Sequence, residues 1–300
     1  MIETNYFDNH CLTCRCELTD DNYSKEHVFP RWLQKKFSIE NSTLVLTNKT
    51  SIPYKQLTIP CCKQCNGTKM SQFENIIKQG IEAGYEKFIK IDKNIIAWWL
   101  AKIYYSNLVK ETQLKKDIKD PNSPPIIHQS FMKHFNNLYR LLNEFYNYPN
   151  YGNNPPYEMF IFKADDKCFD YIDSLASNTC MIQIDDIIIV CSFDTFNLCS
   201  SFYNKDIEYL ESKKEVKSVQ AAELYVKFQF YKKHFDYSFI SINGEDKNSY
   251  YPSFKPIKEF NLQELHYSLI YMYDRFGIGI IDSDYKEGQI VTLLTDDAFN

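Results

Sequence analysis

The sequence predicts an α+β protein: a small cysteine-bearing N-terminal domain, then a helical segment, then a mixed α/β C-terminal domain. Two C-x-x-C pairs lie near the N-terminus, where a metal would hold a small domain together. Apolar residues recur at a helical period over 93–118. The stretch PNYGNNPP (149–156) is typical of a linker, and short strand-like runs follow it. The predicted segments are 1–75, 76–150 and 151–300.

Local patterns predict the elements of the first 150 residues. SKEHVFPRWLQKKF (24–37) indicates a strand end or loop leading into a short helix, with Pro30 in the first helical turn. TLVLTNK (43–49) has a strand pattern, and YKQLTIP (54–60) is a candidate second short strand. Helices are expected over 67–91, 93–118 and 128–146.

The C-terminal segment alternates between strand and helix patterns. We expect strands at 157–164, 179–184 and 187–193, with Asp185-Asp186 as a hairpin turn between the last two. A helix is expected over 262–276, and 209–235 fits either helix or strand. The runs IGIIDSDY (278–285) and QIVTLL (289–294) are candidates to close a sheet.

Composition and charge narrow the class of protein. The chain is 44% hydrophobic with only 8 Gly and 11 Pro, as in a globular protein. We expect a soluble cytoplasmic protein without a membrane partner, because no signal-peptide pattern and no run of about 20 apolar residues is evident. Residues 1–140 hold 20 Lys and Arg against 14 Asp and Glu, whereas 141–300 hold 14 against 25. A polyanion is therefore expected to bind the first part.

The cysteine spacing predicts a structural zinc site. Each C-x-x-C pair places two thiolates on one tight turn, and two such pairs complete a four-cysteine site. Cys16 and Cys61 leave the exact ligand set open, and a redox C-x-x-C lacks the βαβ context that it needs. Four further cysteines in strand-like sequence are expected to be buried thiols. The predicted ligands are Cys11, Cys14, Cys62 and Cys65.

Together with the residues between and after them, the cysteine pairs resemble the HNH endonuclease family. The order is C-x-x-C, then Glu-His-x-x-Pro in SKEHVFPRWL, then C-x-x-C-Asn-x-x-Lys in CCKQCNGTKMSQFE. The resemblance covers about residues 8–75 and implies a ββα-metal fold around a structural zinc ion. It implies that His27 activates water and that Glu26 and Asn66 hold Mg²⁺ or Mn²⁺ while DNA is cleaved. Lys69 and Arg31 are candidate phosphate contacts.

Two departures from the family pattern keep other functions open. KQLTIPC lacks the Asn that many members place before the second cysteine pair, and Glu26 stands where Asp is commoner. A zinc-stabilised binding module that lost the chemistry is one alternative, and a nuclease for RNA or structured junctions is another. The acidic C-terminal half is expected to regulate, oligomerise or bind a protein partner. By analogy of layout, the protein would be an effector in restriction or anti-phage defence.

Overall fold

The structure, a computed structural model, describes residues 6–144, 155–195, 197–243, 248–256, 259–280 and 290–295. Over 235–243 and 248–256, and at Lys69 and Glu144, it describes the backbone alone. The chain divides into two compact units. Unit 1 comprises 1–83 and 90–149, and unit 2 comprises 84–89 and 150–300. Most of the predicted helical segment thus belongs to the same unit as the cysteine pairs.

Unit 1 contains two small antiparallel sheets and a set of helices. One sheet pairs β1 with β4, and the other pairs β2 with β3. The strands are β1 (Tyr23–His27), β2 (Thr43–Val45), β3 (Ser51–Pro53) and β4 (Thr58–Cys62). The helices are α1 (Arg31–Lys36), α2 (Ser71–Glu82), α4 (Lys93–Gln113) and α5 (Asn136–Glu144).

The β1–β4 pair and the helix after it form a ββα arrangement. In the register, Glu26 lies opposite Ile59 and His27 opposite Thr58. From β4 the chain enters a π-helical turn over Cys65–Met70, which continues directly into α2. The strand end and short helix predicted over 24–37 are confirmed, with Pro30 immediately before α1, where its fixed φ suits a helix start.

Helix α4 forms the centre of unit 1. It is buried on nearly every side, because Trp98, Trp99 and their neighbours are apolar all around the helix. The Asp92 side chain accepts from the Asn94 N–H at 2.8 Å and caps the helix start. Helix α4 ends at Gln113, earlier than the predicted end at residue 118. Among the described helices, not even α4 has the length and apolarity that crossing a bilayer requires.

Unit 2 is built on a long antiparallel hairpin covered by helices. Strands β5 and β6 pair over most of their length, and α8 and α9 pack with them around one apolar core. The strands are β5 (Tyr157–Ser174), β6 (Thr179–Phe193), β7 (Phe235–Asn243) and β8 (Asn248–Pro256). The helices are α3 (Tyr85–Phe88), α6 (Leu198–Phe202), α7 (Asn204–Glu211), α8 (Ser218–Lys232) and α9 (Leu262–Arg275).

The prediction of a hairpin turn at Asp185-Asp186 is wrong. Strand β6 runs straight through both residues, and a register shift on β5 between Lys163 and Cys168 lies opposite them. Asp185 adopts a φ of 58°, a conformation that Asp tolerates better than most residues. The extra residues between Lys163 and Cys168 form a bulge on β5, and the Asp185-Asp186 pair lies opposite this bulge within β6.

Other expectations for the C-terminal half have mixed outcomes. The helix over 262–276 is confirmed, and 209–235 resolves into the end of α7, all of α8 and the start of β7. The predicted helix over 128–146 is a 3₁₀ turn followed by α5 as far as residue 144. The described parts of the two sheet-closing candidates, 278–280 and 290–294, are not strands, and 281–289 lies outside the described residues.

Candidate metal centre and the neighbouring Glu-His pair

The four predicted cysteines come together in unit 1. The Sγ atoms of Cys11, Cys14, Cys62 and Cys65 all lie within 4.8 Å of one another, and those of Cys14 and Cys62 are 3.8 Å apart. A tetrahedral zinc ion with Zn–S bonds of about 2.3 Å places its sulfurs about 3.8 Å apart. The predicted cysteine cluster is confirmed, and its donor set suits zinc.

Tight turns bring the thiols into this geometry. The Cys11 N–H donates to the Cys16 carbonyl at 2.9 Å, and the Arg15 N–H donates to the Cys11 carbonyl at 3.1 Å. In the second pair, the Cys65 N–H donates to the Cys62 Sγ at 3.4 Å, an arrangement that stabilises a thiolate. Each C-x-x-C spacing thus folds into a turn with both sulfurs on one side.

Cys61 lies beside the cluster as a further thiol. Its Sγ is 3.7 Å from that of Cys11 and 3.8 Å from the Met70 sulfur, and the residue is fully buried. Cys16 is exposed. The set of mutually close thiols is therefore the predicted one, with Cys61 in contact with one member of it.

Arg15, which the sequence did not single out, anchors the first cysteine turn. Its guanidinium lies 3.9 Å from the ring centre of Tyr139 and 4.7 Å from that of Phe7, and it donates to the Tyr105 hydroxyl at 2.8 Å. These cation–π contacts and the hydrogen bond connect the turn to α4 and α5. An Arg directly after a metal-site cysteine was the available signal, but Tyr105 and Tyr139 are 90 and 124 residues away from it.

His27 lies at the end of β1, half-buried, next to Arg31. The Arg31 Nε donates to the His27 Nε2 at 3.3 Å. Because a guanidinium offers only donors, Nε2 must carry a lone pair in this arrangement. Burial, and then the Arg31 charge, lowers the pKa of His27 from its ordinary 6.5, while Glu26 opposes the shift. His27 is therefore a neutral imidazole near pH 7, with a basic nitrogen directed at Arg31.

Glu26 is part of a buried ion triad that the sequence did not predict. Glu26 and Lys102 are 6% and 1% exposed, and the Lys102 ammonium contacts the Glu26 Oε1. The same ammonium lies 3.0 Å from the Glu74 Oε1 and donates to the carbonyls of His27 at 2.6 Å and Val28 at 3.2 Å. An internal cation thus already neutralises the carboxylate that was expected to hold a metal.

Asn66 lies at the start of the π-helical turn and contacts β1. Its Nδ2 donates to the Ser24 Oγ at 2.8 Å and to the Lys25 carbonyl at 3.2 Å. Asn66 therefore lies alongside the strand that carries Glu26 and His27. Its Oδ1 is the atom that would bind a cation. The structure describes only the backbone of Lys69.

The oxygen atoms of Glu26 and Asn66 suit a hard cation, although Lys102 already holds one of the two Glu26 oxygens. A carboxylate oxygen and an amide oxygen are ligands that Mg²⁺ and Mn²⁺ accept. With Lys102 on Oε1, the Glu26 Oε2 is the carboxylate oxygen for a cation, and Asn66 supplies Oδ1. The metal cluster found among the described residues is the four-cysteine one.

Comparison with known proteins gives no further identification. No family model, curated protein or solved structure matches the chain, so the resemblance to HNH endonucleases depends on the residues described above.

Proposed function

We propose that the protein is a metal-dependent HNH-type endonuclease that hydrolyses DNA phosphodiester bonds. One observation carries the proposal: a ββα arrangement with a four-cysteine cluster presents a Glu-His pair on β1 and an Asn alongside it. Zinc bound by the cluster would link the first cysteine turn to the end of β4 and the π-helical turn, and so stabilise this part of unit 1.

His27 is the proposed general base. Its Nε2 would take a proton from a water molecule as that water attacks phosphorus, which requires a neutral imidazole. The lowered pKa of His27 supports this role. Arg31, which occupies Nε2 in the structure, would move to a phosphate oxygen when DNA binds, and Lys69 is a second proposed phosphate contact.

Glu26 and Asn66 are the proposed ligands of Mg²⁺ or Mn²⁺. The bound ion would supply a positive charge for the phosphate and for the leaving 3′ oxygen. The protein would orient it through the Glu26 Oε2 and the Asn66 Oδ1. The hydrogen bonds from the Asn66 Nδ2 to β1 support this arrangement, because they fix the amide beside the strand.

Several finer statements belong to the same proposal. The charge asymmetry supports a polyanionic substrate, for which DNA is the proposed one, and binding to its phosphates would weaken steeply with salt. The acidic C-terminal half would serve a protein partner or a second copy, with the protein acting in the cytoplasm as an effector of restriction or anti-phage defence. RNA and structured junctions are alternative substrates of the same site.

A non-enzymatic binding module is the second candidate. The Lys102 ammonium in contact with Glu26 favours it, because an internal cation lowers the need for a divalent ion. Such a module would keep the zinc cluster and the excess of Lys and Arg in residues 1–140, without cleavage.

Supercoiled-plasmid nicking by the zinc-loaded protein distinguishes the two. We expect nicking with Mg²⁺ or Mn²⁺, none when divalent ions are withheld, and a loss of about 10²- to 10⁴-fold in His27→Ala. Withholding the ions is preferable to adding a chelator, which would also remove zinc. His134→Ala, an exposed histidine of the same unit, is the matched control.

The binding-module hypothesis predicts the opposite result. Zinc-loaded protein that binds DNA but cleaves no plasmid, RNA or four-way junction with any divalent ion would be a binding module.

A further inference from the structure

The Lys102 ammonium lies among four oxygen atoms next to the candidate site. Two belong to the carboxylates of Glu26 and Glu74, and two are the backbone carbonyls of His27 and Val28. An ammonium has three N–H donors, and these four acceptors use all three of them. One buried group therefore contacts the proposed metal ligand and the backbone of the proposed base together.

The position of Lys102 within its helix is unusual. Helix α4 buries apolar side chains on nearly all sides, and Lys102 itself is 1% exposed. Burying a charged pair costs solvation that its attraction often does not recover, so an apolar residue would stabilise the unit at least as well. General stability therefore does not explain a lysine here, whereas fixing the orientation of Glu26 and His27 does.

The contacts also restrict how Glu26 can move. With Oε1 held by Lys102, the carboxylate loses the rotation that would exchange its two oxygens, and Oε2 keeps one direction. Because the same Nζ binds the His27 carbonyl at 2.6 Å, the end of β1 is fixed relative to that carboxylate. Groups that orient a metal ligand typically contribute about 10- to 100-fold to metal affinity or activity.

We propose that Lys102 is a positioning residue of this site: from α4, it holds the Glu26 carboxylate and the His27 backbone in the geometry that cation binding and cleavage require. This inference builds on the proposed nuclease function. It assigns a residue outside the ββα arrangement to the site, so residues 1–75 do not contain the complete constellation.

The test uses the full zinc-loaded chain and two measurements. Plasmid cleavage gives kcat and KM, and Mn²⁺ titration followed by electron paramagnetic resonance gives cation affinity without any need for turnover. Lys102→Met leaves the buried Glu26 and the partly buried Glu74 without their counter-ion and endangers folding. The double variant Lys102→Met/Glu74→Gln lessens this, because Glu26 is then the only carboxylate without a counter-ion and the net charge of the triad stays the same.

We expect the double variant to retain zinc and DNA affinity, to bind Mn²⁺ about 10- to 100-fold more weakly and to lose kcat by a similar factor with little change in KM. Lys102→Arg, which keeps a cation, should recover part of both. Lys110→Met removes the same charge two turns further along α4 and is the matched control, expected to behave as wild type.

The outcomes separate this inference from the proposed function. A folded double variant with wild-type Mn²⁺ affinity and kcat overturns the role of Lys102 alone. If the wild type binds Mn²⁺ but does not cleave, the nuclease function falls and weaker Mn²⁺ binding in the double variant still supports Lys102. A wild type that binds no Mn²⁺ beyond the zinc site overturns both.

Discussion

At the scale of single residues, the burial of His27 and its contact with Arg31 together set the pH range of the proposed chemistry. Burial and the Arg31 charge both lower the pKa of His27 below 6.5, so the neutral base persists at pH 6.5. As pH falls through the lowered pKa, the imidazole gains a proton and can no longer accept one from water.

We therefore expect the acid limb of the pH–rate profile to lie below pH 6.5, with the rate falling about tenfold per pH unit beneath it. Arg31→Met should move this limb to higher pH, because it removes a charge that lowers the pKa of His27. Rates measured from pH 5 to 9 with Mn²⁺ check both expectations. Lys35→Met, one turn further along α1, is the control, and a limb that stays in place in Arg31→Met would contradict the assignment.

At the scale of elements, the start of α4 determines where its buried residues lie. Asp92 supplies the capping acceptor for the first turn, and Lys102 follows on the same helix. The helix centre is stabilised by packing, but its first N–H groups depend on this side chain.

Asp92→Ala should lower the free energy of unfolding of unit 1 by about 1 kcal/mol, whereas Asp92→Asn, which keeps the acceptor, should lose much less. Urea unfolding followed by tryptophan fluorescence measures this directly, because Trp32, Trp98 and Trp99 all belong to unit 1. An unchanged midpoint in Asp92→Ala would show that the cap contributes nothing.

Short-range signals predicted the cysteine cluster and the helices α1, α4 and α9. The C-x-x-C spacing and the period of α4 are local patterns, and both helix and cluster are present. The turn predicted at Asp185-Asp186 is wrong because Asp185, which has a positive φ, lies inside β6 opposite a bulge on β5. The ion triad could not be predicted, because Lys102 meets the His27 carbonyl across 75 residues of chain.

At the scale of the whole molecule, the metal cluster found in the described residues belongs to unit 1 alone. Its cysteines hold the first turn, the end of β4 and the start of the π-helical turn together. The core of unit 2 consists of apolar side chains between the β5–β6 hairpin and its helices, without cluster cysteines.

Removal of zinc should therefore affect the units differently. In a chelator, we expect amide hydrogens of β1, β4 and α2 to exchange faster, while β5 and β6 keep their protection, as mass spectrometry can resolve. Structural zinc contributes on the order of 10 kcal/mol to small domains, so the effect should be large. Cys62→Ser should reproduce it and Cys168→Ser should not. Unchanged exchange in β1 and β4 after complete zinc loss would contradict a structural role.

The distance in sequence between the His27 carbonyl and Lys102 also has a consequence for synthesis of the chain. A ribosome adds about 5–20 residues per second, so the 75 residues between them take roughly 4–15 s. Cys65, the last of the four cysteines, is made 37 residues before Lys102, so all four thiols exist for roughly 2–7 s before the counter-ion of Glu26 is made. All four thiols of the cluster are thus part of the nascent chain before the lysine that completes the ion triad is made.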